Sequence, residues 1–501
     1  VYETTYEDID RVMKEARLDL IETWDRTFEG QLSKFITVNK NPELATYQGA
    51  KVLEVDVQTQ VGYATTATKL GRNRAPAYDY LRFKSNRLFH VVEMGHEEAE
   101  KSSHSATNTP GVPNVLLKNL ADAKRVIPNF MDRVFYGDGS ETLAIVADVA
   151  IESTTFVKNG TTLNVSKVYL DPPFTSIDRY PQDATSLIEV GQPADFASID
   201  ISSADAVNMP YGAVEVVDNA TDGFGYEILD FNDGGGTAHA AYAIVYPRVG
   251  GDVAPGMALI SQKSQDADGY NTGAGVGIAG IVGNGHVNAL GSALMPRKIG
   301  NRYYGQKDSQ ADGLGWLNAP VYNLIPELHG STETALVDLT SEDGLVLTKF
   351  YDYCQNHLGD AFSPECLLMH RDTKLAYMKA AVGRDFFSLF QPAGPVTDKN
   401  GVDLGFTAPF WTAPDGRKIP IFTTRRMFRG TIVFPSLSSL MPAIEYEGWK
   451  TGPEYGYFED MILARRENVL ATVYRRYYLM AALQRALWAS IWNVKTKSTM
   501  T

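Results

Sequence analysis

Apolar residues recur at the helical period in two long stretches and at the strand period through much of what separates them. Residues 5 to 35 place Ile9, Val12, Met13, Ala16, Leu20, Trp24 and Phe28 on one face, with Asp8, Asp10, Lys14, Glu15 and Asp19 largely on the other. That spacing predicts an amphipathic helix. From Ala50 the period changes: Val52, Val55 and Val57 read as strand, and the chain returns through LRFKSNRLFHVVEMG. Between these runs lies a polar, basic tip carrying Lys69, Arg72 and Arg74. The pattern predicts a long hairpin. A two-stranded ribbon is marginal in water, so it needs a partner surface, on its own domain or on another chain.

The second helical stretch is NTPGVPNVLLKNLADAKRVIPNFMDRVFYGDGS, residues 108 to 140. Leu116, Leu120, Ala123, Ile127, Phe130 and Val134 form its apolar stripe. Pro113 suits a first turn, Gly137 is placed to stop the helix, and Pro128 should bend it. From Pro113 to Tyr136 the rod is about 35 Å long at 1.5 Å per residue. The stripe residues Leu116, Leu120, Ile127, Phe130 and Val134 are its expected packing face.

Residues 141 to 290 carry short runs such as TTLNVSKVYL, YEILDF and AYAIVYP between Gly, Asp, Asn and Pro clusters. Regular short strands with turn signals predict a β-barrel or sandwich. Helices return near 335, as SEDGLVLTKFYDYCQNHLG and SPECLLMHRDTKLAYMKAAVG, the second with Ser363 as its candidate cap ahead of Pro364. Residues 417 to 434 read as strand and turn. The C-terminal run ENVLATVYRRYYLMAALQRALWASIW fits helix or alternation before Met480, while its composition beyond Met480 favours helix.

Composition narrows the function classes. The 501 residues exceed one typical core, and the formal net charge is −14. An acidic chain is a poor phosphate-neutralising DNA binder, which does not exclude a container for DNA, since a lining that repels the backbone lets packed DNA slide. Two cysteines, Cys354 and Cys366, rule out a disulfide framework and read as free thiols. No apolar run is long enough to span a membrane.

Motifs for chemistry are weak. Gly275, Gly277 and Gly280 match the dinucleotide-loop spacing. The flanking sequence supplies neither the strand before nor the helix after, and no acid lies between Gly280 and Asp308. A flexible loop is the default there. His96, Glu100 and His104, with His90 nearby, could be drawn as a zinc site, although the segment reads more simply as solvated. Arg417, Lys418, Arg425, Arg426 and Arg429, interleaved with Phe422, Met427 and Phe428, suggest a nucleic-acid patch or, preferably, a protein contact or solvated strand face. No catalytic, cofactor or metal residue is assigned.

An N-terminal arm, an extended hairpin, a long helix closed by the VFYGDG turn, a β-rich insertion, a mixed α/β region and a terminal strand follow in that order. This order resembles the major capsid proteins of tailed double-stranded DNA bacteriophages, with the fold they share with herpesvirus capsids. The resemblance implies an α+β chain divided as 1–49 N-terminal arm, 50–107 hairpin loop, 108–140 spine helix, 141–290 β-rich insertion, 291–440 axial domain and 441–501 C-terminal return. It also implies a C-terminal strand near 468 to 480 alongside the spine helix, then a short helix. A virion structural protein follows, not an enzyme, assembling in the host cytoplasm with itself as hexamers and pentamers. Scaffolding, portal and decoration proteins are further expected partners, and DNA is enclosed without sequence-specific binding and without a membrane. In that family the hairpin lies across a neighbouring subunit, so Lys69, Arg72 and Arg74 are expected against carboxylates such as Glu97, Glu98 and Glu100 of an adjoining copy. The rival readings are a cytosolic multidomain α/β enzyme using the glycine-rich loop, and another virion component such as a tail-tube protein.

Overall fold

The computed structural model describes residues 39–40, 48–56, 77–84, 86–95, 130, 132–137, 141–158, 160–173, 180–199, 214–217, 225–262, 277–282, 319–323, 346–382, 410–439, 443–450, 459–460, 469–479, 482, 484–492, 494 and 496. The helix expected at 5–35, the hairpin tip and the spine-helix positions Leu116, Leu120 and Ile127 lie outside them. So do Lys69, Arg72, Arg74, Glu97, Glu98, Glu100, His96 and His104.

Near the N-terminus are β1 (Asn39–Lys40), β2 (Gln48–Asp56), β3 (Ala77–Lys84) and β4 (Asn86–Gly95). β2 and β3 pair antiparallel from Gln48↔Lys84 to Asp56↔Ala77, the ribbon that the alternating sequence predicts. β4, expected to continue the hairpin's returning leg, belongs instead to another sheet. Over its ten-residue length it pairs with β20 (Val469–Leu479), whose other edge takes β18 (Ala443–Lys450) and β19 (Glu459–Asp460). β1 joins β18 in parallel. The C-terminal strand therefore lies where it was expected in sequence, in one sheet with β1 and β4.

The β-rich segment builds β5 (Thr142–Val146), β6 (Glu152–Lys158), β7 (Thr161–Asp171), β8 (Pro193–Ile199), β9 (Val214–Val217), β10 (Tyr226–Asn232), β11 (Tyr242–Tyr246) and β12 (Ala258–Ser261). The order β10-β11-β7-β5-β12-β8 closes on itself because β10 also pairs with β8. Of the barrel and sandwich alternatives, the barrel forms. β9 and β6 extend it as flaps on β8 and β7. Period-two alternation fills it: Val168, Leu170, Ala243, Val245, Ile228, Phe196 and Leu259 join the core, and Phe196 meets Tyr226 edge to face at 5.1 Å. The alternate positions Val165, Leu229 and Ile244 form a smaller outer cluster, against which Phe156 and Leu163 of the β6–β7 flap pack. Gly160 at φ +80° makes the flap's tight turn, a conformation side chains resist.

A second sheet runs β13 (Val321–Asn323), β21 (Ala489–Trp492), β17 (Ile432–Phe434), β14 (Leu367–Met369), β16 (Lys418–Thr423) and β15 (Phe410–Thr412), with parallel and antiparallel pairs mixed. Alternation divides its two faces. Leu367, Met369, Ile419, Ile421, Ile432, Phe434, Ala489 and Ile491 share one core with Val346, Leu347, Phe350, Tyr351 and Cys354, the apolar stripe of α2 (Val346–Leu358). Leu368, Phe422, Val433, Trp488 and Trp492 face the other way, into the cluster that continues through the barrel. Both faces are thus buried, one under a helix and one against the barrel.

Two further local expectations change. The segment read as one helix from Ser363 is instead β14 followed by α3 (Arg371–Val382), because LLM is paired on both sides within the sheet. Ser363 does not cap it: its hydroxyl oxygen accepts from Arg417. Beyond Met480 the helix favoured by composition is replaced by a 3-10 turn, Arg485–Leu487, and by β21, held between β13 and β17. Burial on both sheet faces outweighs helix propensities of a few tenths of a kcal/mol per residue.

Candidate functional site: the charged junction between barrel and sheet

The basic run near 420 is not a surface patch. After β16 the chain turns through residues 424–431 and carries Arg425, Arg426 and Arg429 into the seam between barrel and sheet. Arg426 is 2% exposed and places Nε 3.8 Å from Asp132 Oδ2, while Nη2 donates to Glu189 Oε1. Arg429 donates from Nη1 to Asp183 Oδ1 at 2.6 Å and from Nε to Asp372 Oδ2 at 3.0 Å. Its backbone N–H reaches Asp183 Oδ2 at 3.0 Å. Asp183 is fully buried in the 3-10 turn Pro181–Thr185, inside the barrel segment, and Asp372 opens α3. One guanidinium therefore joins three separate elements. Burial opposes its charge, but Asp183 and Asp372 outweigh that and hold its pKa above the usual arginine value.

Arg425 donates to the Ile188 carbonyl at 3.4 Å and lies 5.7 Å from the Phe231 ring centre. Arg417 and Lys418 remain outside the seam: Arg417 pairs with Asp415 at 2.5 Å, and exposed Lys418 sits over Phe410. The sequence preference for a contact surface or solvated face fails for Arg426 and Arg429. Charge runs carry no mark of burial, and the acids that neutralise these two are dispersed at 132, 183, 189 and 372.

Helical residues 132–136 enter the same seam and end where Gly137 was expected to stop a helix, with Gly137 N–H donating to the Val134 carbonyl at 3.1 Å. Val134 is core and Phe130 packs against that core. Arg133, 2% exposed, stacks 4.0 Å over Phe130 and donates to Ser261 Oγ at 2.8 Å and Glu141 Oε2 at 3.2 Å. Desolvation lowers its pKa, partly offset by Glu141 and Glu189.

Gly277, the middle glycine of the motif, is a packing position. Gly277 precedes α1 (Ile278–Val282), whose Ile278, Ala279, Ile281 and Val282 are buried. A Cβ on Gly277 would lie 2.4, 2.5 and 2.6 Å from the carbonyl oxygens of Val134, Gly137 and Phe135. Gly277→Ala should therefore destabilise the protein by about 1–3 kcal/mol, the usual range for overpacking. Urea denaturation measures this, and an alanine variant equal to wild type would remove the close approach.

Tyr180 and the turn behind Arg429 seal the seam: Tyr180 Oη donates to the Val494 carbonyl, and Gly430 N–H donates to Thr373 Oγ1 at 2.9 Å. His370 Nδ1 accepts from the Asp372 N–H at 3.1 Å, so α3 is capped by a neutral imidazole. Burial, with Arg429 next, lowers the His370 pKa from 6.5 to about 4. Below 6.5 the unfolded chain takes up a proton that the folded state refuses. Stability should therefore fall as pH drops from about 6.5 to about 4 and level off below, and His370→Asn should flatten that slope in pH-resolved denaturation.

Burial pushes the Cys354 thiol up to about 12 and raises Cys366 as well, and both are free. Among the described residues, no three His, Cys, Asp or Glu side chains are grouped to hold a metal ion, and no helix is long and apolar enough to cross a membrane.

The chain matches no protein-family model and no curated protein. It is similar to several solved structures. The capsid asymmetric unit of cyanophage A-1(L) is 11% identical, with 98% of each chain covered and a TM-score of 0.48. The holo-SrpI encapsulin complex of Synechococcus elongatus is 8% identical, with 99% of each chain covered and a TM-score of 0.38. The capsid of the empty GTA particle is 8% identical, covering 99% of this chain and 100% of that one at a TM-score of 0.38.

Proposed function

We propose that this chain is a major capsid protein, a structural and non-catalytic subunit that self-assembles into a closed icosahedral shell around double-stranded DNA. The observation that carries this reading is the β2–β3 ribbon. Among the described strands its two members pair only with each other, while the next strand, β4, is zipped along β20 near the chain's other end. A ribbon of two strands is marginal alone, so a neighbouring subunit is its natural support. The charged seam suits the same role, since subunits that repeat around a shell must present their contact faces at one fixed angle.

On this reading the partners are further copies as hexamers and pentamers, with scaffolding, portal and decoration proteins beyond them. The virion is the destination, and assembly takes place in the host cytoplasm. Residues 113 to 136 act as the spine, with Leu116, Leu120, Ile127, Phe130 and Val134 as its packing face. Electron microscopy of the expressed full chain tests the proposal. Closed shells are expected, whereas a full chain that stays monomeric across protein concentration and salt would overturn it.

The basic tip has its own test. Lys69, Arg72 and Arg74 are proposed to dock against Glu97, Glu98 and Glu100 of an adjoining subunit, guiding registry more than supplying affinity. Lys69→Glu, Arg72→Glu and Arg74→Glu together should slow assembly strongly at low salt and less at high salt, because salt screens exposed pairs. Light scattering follows the rate, and equal rates at low ionic strength would leave the tip without an electrostatic role.

A further inference from the structure

The β6 edge of the barrel flap is a continuous strand built for pairing. Among the described strands β6 pairs only with β7, in an unbroken register from Glu152↔Lys167 to Lys158↔Thr161. Its sequence, ESTTFVK, is rich in β-formers and contains neither proline nor a bulge. Proteins commonly blunt such edges with mid-strand charge, proline or a bulge. Here charge stands only at the two ends. Ser153, Thr155 and Val157 are exposed, Val157 at 65%, while Phe156 packs onto the outer cluster of the barrel.

The end charges make the strand complementary to itself. In an antiparallel pair of two β6 strands centred on Thr155, Glu152 of each copy faces Lys158 of the other, Ser153 faces Val157, Thr154 faces Phe156 and Thr155 faces its own twin. A shift by two residues loses both charge pairs. Within the chain Glu152 already accepts from Tyr169 Oη at 2.9 Å and Lys167 Nζ at 3.3 Å, and Lys158 donates to Glu227 at 2.9 Å. These bonds hold both side chains in place, and a carboxylate with about four acceptor sites can take a further donor at Glu152.

We propose that β6 is a two-fold interface that takes the β6 strand of a second copy of this chain, extending the barrel sheet across the axis. An isologous contact of this kind closes after two subunits, so it links copies without forming open fibres. The interface does not depend on the shell reading: it predicts a paired chain whether or not shells form.

Thr155→Cys in the full chain tests it, read as a disulfide-linked dimer on a non-reducing denaturing gel after mild oxidation. Opposed residues on paired strands have Cβ atoms about 4.5–5.5 Å apart, within reach of a disulfide after small adjustment. Ser153→Cys is the control. Its twin would lie about 13 Å away along the strands at about 3.3 Å per residue, so it should stay monomeric on the gel. The buried native thiols Cys354 and Cys366 set the background, measured with the unmodified chain. The expected result is that most Thr155→Cys chain runs as a dimer, that Ser153→Cys does not, and that adding Lys158→Glu to Thr155→Cys cuts the linked fraction several-fold. Equal linking by both single cysteines, or none by Thr155→Cys, would overturn the proposal, including the case in which the edge captures a different protein. Because the gel reads single chains, micrographs without shells would count against the capsid reading alone.

Discussion

Arg426→Ala is expected to cost about 3–5 kcal/mol of stability, the range for breaking a buried ion pair from one side. Asp132 is 3% exposed, and Glu189, which accepts from the Arg426 guanidinium, is 18% exposed at its side chain. Truncation would leave the first carboxylate in a low-dielectric seam and the second at its margin. Arg133 stands near enough to Glu189 to compensate in part, which favours the lower end of the range. Urea denaturation followed by tryptophan fluorescence measures the loss. Lys418→Ala, at an exposed position on β16, is the comparison and should change stability by no more than about 0.5 kcal/mol. A loss below about 1 kcal/mol for Arg426→Ala would mean that water or another cation reaches the seam. Arg426→Lys should fall between the two, since it keeps the charge and loses the fork that spans Asp132 and Glu189.

Trp488→Ala should be comparably damaging, at about 3–5 kcal/mol for a fully buried aromatic. Its ring belongs to the cluster between sheet and barrel, and its Nε1–H donates to Ser439 Oγ at 2.9 Å. Ser439 passes the bond on to the Ser436 carbonyl at 2.7 Å. Trp488→Phe separates the two contributions: most of the ring volume stays and one hydrogen bond is lost, at a cost nearer 1 kcal/mol. If the alanine and phenylalanine variants were equally stable, the indole would not be filling the space between the layers.

Strands were the most legible part of the fold, because alternation survives whichever partner covers the second face. TTLNVSKVYL, YEILDF and AYAIVYP became β7, β10 and β11, and LRFKSNRLFHVVEMG spans the end of β3 and β4. Positions with both neighbours in the sheet were harder. LLM at β14 and ASIW at β21 are apolar without a gap, and a short apolar run reads equally well as helix. The charged seam was the least legible. Arg426 and Arg429 lie three residues apart and look like one patch, but their carboxylates come from elements distant in the chain. Gly277 belongs to a motif-like spacing, yet its own need for glycine is backbone crowding at Val134, Phe135 and Gly137, a contact that only the folded chain creates. The free edge of β6 left a readable trace, opposite charges at the two ends of an uninterrupted strand, which gains meaning once the pairing shows which edge is open.

The barrel departs from the rest of the protein at Gly137 and the chain is back against that same point at Gly277. Entry and exit therefore lie against each other. A short linker could join them without stretching the chain, and the entropy of closing that loop would grow only slowly with linker length. What resists exchange of the barrel is the floor beneath: Leu368, Phe422, Val433, Trp488 and Trp492 would lose their roof. A replacement module would succeed according to how well its underside covers those five side chains and supplies carboxylates where Asp183 and Glu189 now meet Arg429 and Arg426.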